Sequence, residues 1–120
     1  MRLVAELQRR LEQEQSLFRA QLLREDIVRL GKLQELARSA KDPGAFEKAA
    51  MRIGWTQGDA RTHEIREPLE ALLASVYEYE TGARSNEQEE RIDAAWVAVH
   101  RARMERLVGC LSTPVPKPVD

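Results

Sequence analysis

The sequence predicts an all-α protein, and three observations lead to this fold class. The chain of 120 residues is rich in alanine, leucine, glutamate, arginine and glutamine, which have high helix propensity. Valine and isoleucine are sparse, so no segment has the composition of a buried strand. Leucines instead recur every three or four residues, the spacing that places side chains on one face of a helix. We therefore expect a four-helix bundle with a long first helix.

One domain is expected to contain all four helices. With 42% hydrophobic residues, a chain of this length can bury a single core without disulfides. The domain is predicted over residues 1–111, and residues 112–120 form a tail in which three prolines alternate with other residues, which favours an extended polyproline conformation. The helices are predicted at about 2–40, 43–53, 59–80 and 86–111.

The first predicted helix follows from the absence of proline in residues 2–40. Apolar positions repeat there about every 3.6 residues, as one face of a continuous helix requires. At a rise of 1.5 Å per residue the helix is about 57 Å long. This face consists of Leu3, Leu7, Leu11, Phe18, Leu22, Leu33, Leu36 and Ala40, with Glu14, Glu25 and Arg29 at the remaining positions.

Such a helix is longer than a compact domain of this size, whose diameter is on the order of 35 Å. Leu3, Leu7, Leu11 and Phe18 would then form an apolar row that no other helix of the chain covers. Burying each side chain stabilises by about 1.5–3 kcal/mol, so we expect the row to pack on another molecule as a short coiled coil. The alternative is a bend near residues 13–16, after which a second helix folds back, with a serine as its N-cap.

Cap and turn signals separate the remaining helices. Asp42 and Pro43 fit the N-cap and the first position of the second helix. Pro68 lies within the third apolar pattern and predicts a helix that either begins there or is kinked. Ser85 fits the N-cap of the last helix, and Trp96 on that helix is expected in the core.

The segment between the second and third helices has one nucleic-acid interpretation. Ala50, Gly54 and Trp55 show the spacing of a small residue, a glycine and a hydrophobic residue found in helix-turn-helix motifs. Residues 46–67 would then read DNA. The side chains offered to the major groove would be Arg61, Thr62, His63 and Arg66. A structural corner has the same spacing and is the preferred interpretation, with Trp55 either packed on the bundle or exposed at a protein interface.

No catalytic, metal or cofactor site is expected. The sequence has no glycine-rich phosphate loop and no Ser/His/Asp set in a recognisable context, and its only cysteine, Cys110, fits a small buried residue. The net charge of −1 is unlike that of proteins that coat phosphates, so nucleic acid is the less favoured partner. No segment reaches the ~20 apolar residues of a membrane span, and we expect a cytoplasmic protein without a membrane partner.

Together these features predict a non-enzymatic helical protein–protein interaction module. It would either self-associate as a homodimer or serve as a small subunit or adaptor that binds another helical protein through the N-terminal helix. The interface is expected at Leu3, Leu7, Leu11, Phe18 and Trp55. The alternative function is a dimeric DNA-binding regulator that uses residues 46–67.

Overall fold

The described part of the chain folds into α-helices. The computed structural model describes residues 1–52 and 63–112, and within these ranges it contains five α-helices and no strand. The predicted all-α class is confirmed, but the predicted count of four helices is wrong because the first of them is two helices. The five helices are α1 (Arg2–Gln13), α2 (Leu17–Ser39), α3 (Pro43–Ala50), α4 (His63–Thr81) and α5 (Asn86–Ser112).

The first predicted helix breaks after Gln13. Glu14 and Ser16 have extended backbone angles, and the Ser16 hydroxyl caps α2 by accepting a hydrogen bond from the Arg19 N–H at 3.3 Å. The Glu14 carboxylate accepts a second hydrogen bond from the Ser16 N–H at 3.1 Å. The single helix over residues 2–40 is therefore wrong, and the alternative bend with a serine cap is confirmed.

The break lets α1 turn back and pack against α2 and α5. Leu3 and Leu7 are buried there, and Leu11 is partly buried against the same core. Burying a leucine side chain contributes about 1.5–3 kcal/mol, whereas each helical hydrogen bond lost at the break costs about 0.5–1.5 kcal/mol net. Because the caps replace part of the lost bonds, folding back is favoured over a straight rod.

The predicted caps of α3 and α5 are confirmed. Asp42 Oδ1 accepts a hydrogen bond from the Ala45 N–H at 2.8 Å, and Pro43 occupies the first position of α3. Ser85 Oγ accepts a hydrogen bond from the Gln88 N–H at 3.2 Å, and Gln88 Oε1 accepts one from the Ser85 N–H at 3.0 Å. These two hydrogen bonds between Ser85 and Gln88 form a reciprocal capping box, which fixes where α5 begins.

Other predicted boundaries agree less closely. The second predicted helix was extended to residue 53, whereas α3 ends at Ala50. The chain is already helical at His63, so α4 does not begin at Pro68 but passes through it. The predicted start of this helix at residue 59 lies outside the described residues, as does the predicted tail beyond Ser112.

One hydrophobic core joins the helices. The most extensive helix pair is α4 with α5; α2 packs on α1 and α4, and α3 bridges α2 and α4. Trp96 is 3% exposed, which confirms its predicted place in the core. The largest fully buried hydrophobic side chains are Leu7, Leu30, Leu33, Phe46, Ile65, Leu69, Leu72, Val76, Ile92 and Val99.

A buried carboxylate ties α2 to the end of α4. The fully buried side chain of Glu80 accepts hydrogen bonds from Gln34 Nε2 at 2.7 Å, Arg38 Nε at 2.9 Å and Arg84 Nη2 at 3.0 Å. Burial alone would raise the pKa of Glu80, but the hydrogen bonds from Arg38 and Gln34 and the charges of Arg38 and Arg84 bring this pKa below its usual value of 4.5. Glu80 is therefore ionised at neutral pH, where it can hold all three donors.

Replacing Glu80 with glutamine is expected to reduce the free energy of unfolding at pH 7 by about 1.5–3 kcal/mol, the range for hydrogen bonds to charged groups. A carboxyl whose folded-state pKa is lowered stabilises the protein above its unfolded-state pKa, and this contribution is lost as the pH falls through the folded-state value. Urea denaturation from pH 7 to pH 3 should therefore show the difference between wild type and Glu80→Gln shrinking below about pH 4.5. A difference independent of pH would contradict this role, and Glu87→Gln, at an exposed ion pair, is the matched control.

Candidate interaction surface

The apolar row predicted at the N-terminus divides into a buried part and an exposed part. Leu3 and Leu7 are 3% and 0% exposed, and Leu11 is partly buried, because α1 packs on its own chain. The expectation that nothing in the chain covers these side chains is therefore wrong. Phe18 is 57% exposed, and Trp55 lies outside the described residues. Of the predicted interface residues that the structure describes, Phe18 is the one left largely in solvent.

The residues of the DNA-binding interpretation lie mostly where the structure gives no description. Arg61 and Thr62 are outside the described residues, and His63 is described only as the first residue of α4. Arg66 lies on α4 with an exposed side chain, and its Nε donates a hydrogen bond to Glu70 Oε1 at 3.1 Å. This interpretation stays a prediction.

Two adjacent hydrophobic side chains project where α1 turns into α2. We call residues 14–19 the α1–α2 corner. Leu17 is 86% exposed and Phe18 is 57% exposed, and both belong to the first turn of α2. Val28 and Val97 are the other large hydrophobic residues that are exposed in the described part of the chain, and they lie far apart in sequence. In the described part of the chain, two large exposed hydrophobic residues follow one another in sequence at this corner.

A cleft of about 370 Å³ shares residues with this corner. It lies between α1, α2 and α5, and its residues bring both charges and apolar groups to one opening. The residues that line the cleft include Arg10, Glu14, Arg19, Leu22, Trp96 and Met104. The exposed side chains of Leu17 and Phe18 therefore form a projection, and the cleft beside them forms a recess.

The interior side of the cleft is built on a buried carboxylate. The Asp26 side chain is 1% exposed; its Oδ2 accepts a hydrogen bond from Trp96 Nε1 at 3.2 Å, and its Oδ1 accepts one from Arg103 Nη1 at 2.9 Å. Arg29 Nη1 lies 3.9 Å from the same Oδ1. Asp26 thereby links α2 to α5 and sets the position of the indole ring.

Two further side chains contact the Trp96 indole. His100 stacks on it with 4.8 Å between ring centroids, and the guanidinium carbon of Arg10 lies 5.9 Å from the ring centroid. Burial lowers the pKa of His100, and the charges of Arg103 and Arg10 lower it further against the opposing effect of Asp26. His100 is therefore neutral at pH 7 and contributes an aromatic ring to the cleft without adding charge.

Sequence reasoning missed Asp26, although a signal for it exists. Leu23, Asp26, Leu30 and Leu33 follow one another at three- and four-residue steps, which places them on one helix face. A single carboxylate within an otherwise apolar stripe indicates a buried ion that needs partners from another helix. The face predicted for one continuous helix ran through Glu25 and Arg29 and did not include Asp26.

Neither a membrane span nor a metal cluster is found in the described part of the chain. None of the described helices has the length and apolar composition needed to cross a membrane. Among the side chains that the structure describes, no three of the His, Cys, Asp or Glu type are grouped so that they could share a metal ion.

No protein-family model, curated protein or solved structure matches this chain. The function proposed below therefore rests on the corner, the cleft and their chemistry.

Proposed function

We propose that the protein is a helical protein–protein interaction module that self-associates through the α1–α2 corner. The observation that carries this proposal is the exposure of Leu17 and Phe18, adjacent residues on the first turn of α2. Moving such a side chain from water into a packed interface is worth about 1.5–3 kcal/mol. The proposed interface lies in the N-terminal region and is centred on the corner, because Leu3 and Leu7 are buried in the core of their own chain.

The proposed partner is a second copy of the chain, because projection and recess occur on the same surface. A two-fold dimer brings the same patch of each copy together, so the patch must be complementary to itself. In the proposed dimer, Phe18 of each copy enters the cleft of the other copy and packs near Leu22, Met104 and the Trp96 ring. The cleft of about 370 Å³ is large enough for one aromatic side chain.

The charges around the corner favour the same arrangement. Glu14 and Arg19 both line the cleft and lie on either side of the projecting residues. A two-fold axis between them would bring Arg19 of one copy towards Glu14 of the other, and complementary charges fix the orientation of an interface. The net charge of −1 opposes association only weakly.

Replacing both corner residues with serine is expected to abolish self-association. Because the patch is small, we expect a weak wild-type dimer with a Kd of about 10–100 µM. Sedimentation equilibrium over a concentration series should show the dimer for wild type and a monomer throughout for the Leu17→Ser/Phe18→Ser variant. The matched control is Val28→Ser/Val97→Ser, which removes two other exposed hydrophobic residues and should leave the dimer intact.

Mixing two defective variants tests the exchange of Phe18 between copies. Phe18→Ser removes the projection, and Leu22→Glu places a charge in the recess, so each variant alone should be monomeric. At about 500 µM their mixture should contain more dimer than either variant alone, because the Leu22→Glu chain still offers its Phe18 to the intact cleft of the other chain and one of the two contacts is kept. A wild-type chain that stays monomeric at about 500 µM would overturn self-association. A dimer that Phe18→Ser leaves unchanged would overturn the assignment of the corner.

A further inference from the structure

A second groove lies between α3 and α4. It has a volume of about 370 Å³ and does not share any residue with the cleft at the α1–α2 corner. On α4 its residues extend from Glu70 to Thr81, a distance of about 16 Å at 1.5 Å per residue. A groove three helical turns long offers a surface along which a short helical segment of a partner can lie.

The base of the groove is aromatic and apolar. Phe46 of α3 and Tyr77 of α4 lie with 5.4 Å between ring centroids, and Leu73 and Ala74 lie one helical turn before Tyr77. Phe46 and Leu73 are buried, whereas Ala74 is exposed and Tyr77 is partly exposed. An apolar side chain laid along this groove would therefore contact the Tyr77 ring and the surface of α4.

The charged residues that line the groove are all acidic. Glu47 of α3 and Glu70 and Glu78 of α4 line it, and no basic residue is among its described lining residues. Arg66 pairs with Glu70 at 3.1 Å, and Arg91 lies 3.7 Å from Glu78, with all four side chains between 45% and 58% exposed. Exposed pairs of this kind contribute little, so guanidinium or ammonium groups of a partner can replace them at small cost.

We infer that this groove binds a basic amphipathic helix from another protein. The apolar face of that helix would lie on Tyr77 and Ala74, and its Lys or Arg side chains would pair with Glu47, Glu70 and Glu78. A cation beside Tyr77 also gains from the negative face of the ring. Insertion of an amphipathic helix into a groove between two helices is a recurrent mode of peptide recognition, with contacts at every third or fourth residue.

The test uses a synthetic 14-residue amphipathic peptide of leucine and lysine, with a leucine–glutamate peptide of the same pattern as its control. Isothermal titration calorimetry is carried out with the full-length Leu17→Ser/Phe18→Ser variant, so that self-association through the corner does not enter the measurement. We expect the lysine peptide to bind, the affinity to fall as salt is raised, and the glutamate peptide not to bind.

Charge-neutralising variants locate the site. Glu47→Gln/Glu70→Gln/Glu78→Gln should weaken binding about tenfold, since each exposed ion pair is worth a few-fold in affinity. The control Glu87→Gln/Glu90→Gln/Glu105→Gln removes the same charge from exposed positions of α5 and should change the affinity less than about twofold. Tyr77→Ser should also weaken binding, which a purely electrostatic attraction would not show.

Absence of binding of the lysine peptide, equal binding of the glutamate peptide, or equal weakening by both triple variants would overturn the inference. None of these outcomes concerns the corner, because its two hydrophobic residues are replaced in the protein tested. Failure of the groove and failure of self-association are therefore distinguishable.

Discussion

Replacing Asp26 with alanine is expected to reduce the free energy of unfolding by about 3–5 kcal/mol, because it removes a buried carboxylate that accepts hydrogen bonds from Arg103 and from the Trp96 indole. Arg103 is 13% exposed and loses a hydrogen bond of 2.9 Å, and the Trp96 indole N–H loses its acceptor. Folded domains are stable by only about 5–15 kcal/mol, so this loss is a large fraction of the total. Urea denaturation followed by far-UV circular dichroism measures it.

The control for this prediction is Glu87→Ala, which breaks an exposed ion pair with Arg91 and should cost less than about 1 kcal/mol. Asp26→Asn is informative as well, because the amide keeps the shape of the side chain but offers one acceptor oxygen for two donors. We expect it to fall between wild type and Asp26→Ala. If Asp26→Ala is no more destabilising than Glu87→Ala, the carboxylate does not link α2 to α5.

The second large effect is expected at Leu7. This side chain is fully buried between α1 and its neighbours, and truncation of a buried leucine to alanine costs about 2–5 kcal/mol. The matched control is Leu17→Ala, which makes the same chemical change at a side chain that is 86% exposed and should stay within about 0.5 kcal/mol of wild type. The same denaturation experiment compares the two variants.

The Leu7 prediction distinguishes an α1 that packs on its own chain from an α1 that packs on a partner. If Leu7 is buried within its own chain, the loss of stability is the same at every protein concentration. If it were buried only in a dimer, the apparent stability and its change on mutation would depend on concentration, since association stabilises by mass action. A concentration-dependent effect of Leu7→Ala would contradict the folded-back α1.

Local cap signals predicted correctly where α3 and α5 begin, because caps act over a few residues. Asp42 reaches the third N–H of α3, and Ser85 and Gln88 satisfy each other across the first turn of α5. Ser16 gives a similar N-cap signal for α2, but the regular leucine spacing on both sides of it favours one continuous helix. A straight helix is longer than a compact domain, which suggests a partner for its apolar row. When the helix bends, however, Leu3 and Leu7 become buried within their own chain.

The register of α2 could not be obtained from that spacing. A continuous helix places Leu22, Glu25 and Arg29 in line with the leucines of α1, whereas the real buried face carries Leu23, Asp26 and Leu30. Leu33 lies on both faces, but the buried face carries Asp26 where the predicted face carried Glu25. Phe18 was likewise predicted as a member of the apolar row, whereas it lies in the first turn of a new helix with its side chain largely exposed.

What the sequence by itself determined is the all-α class, the starts of α3 and α5 and the place of Trp96 in the core, because helix propensity, capping and periodicity depend on residues close in the chain. Only the tertiary structure decided which apolar residues stay in solvent and which carboxylates are buried. The partners of Asp26 come from α5, 70 and 77 residues away in sequence, and Leu7 is buried because α1 packs on α2 and α5. Such contacts depend on the angle at which α1 turns back, and no local spacing specifies that angle.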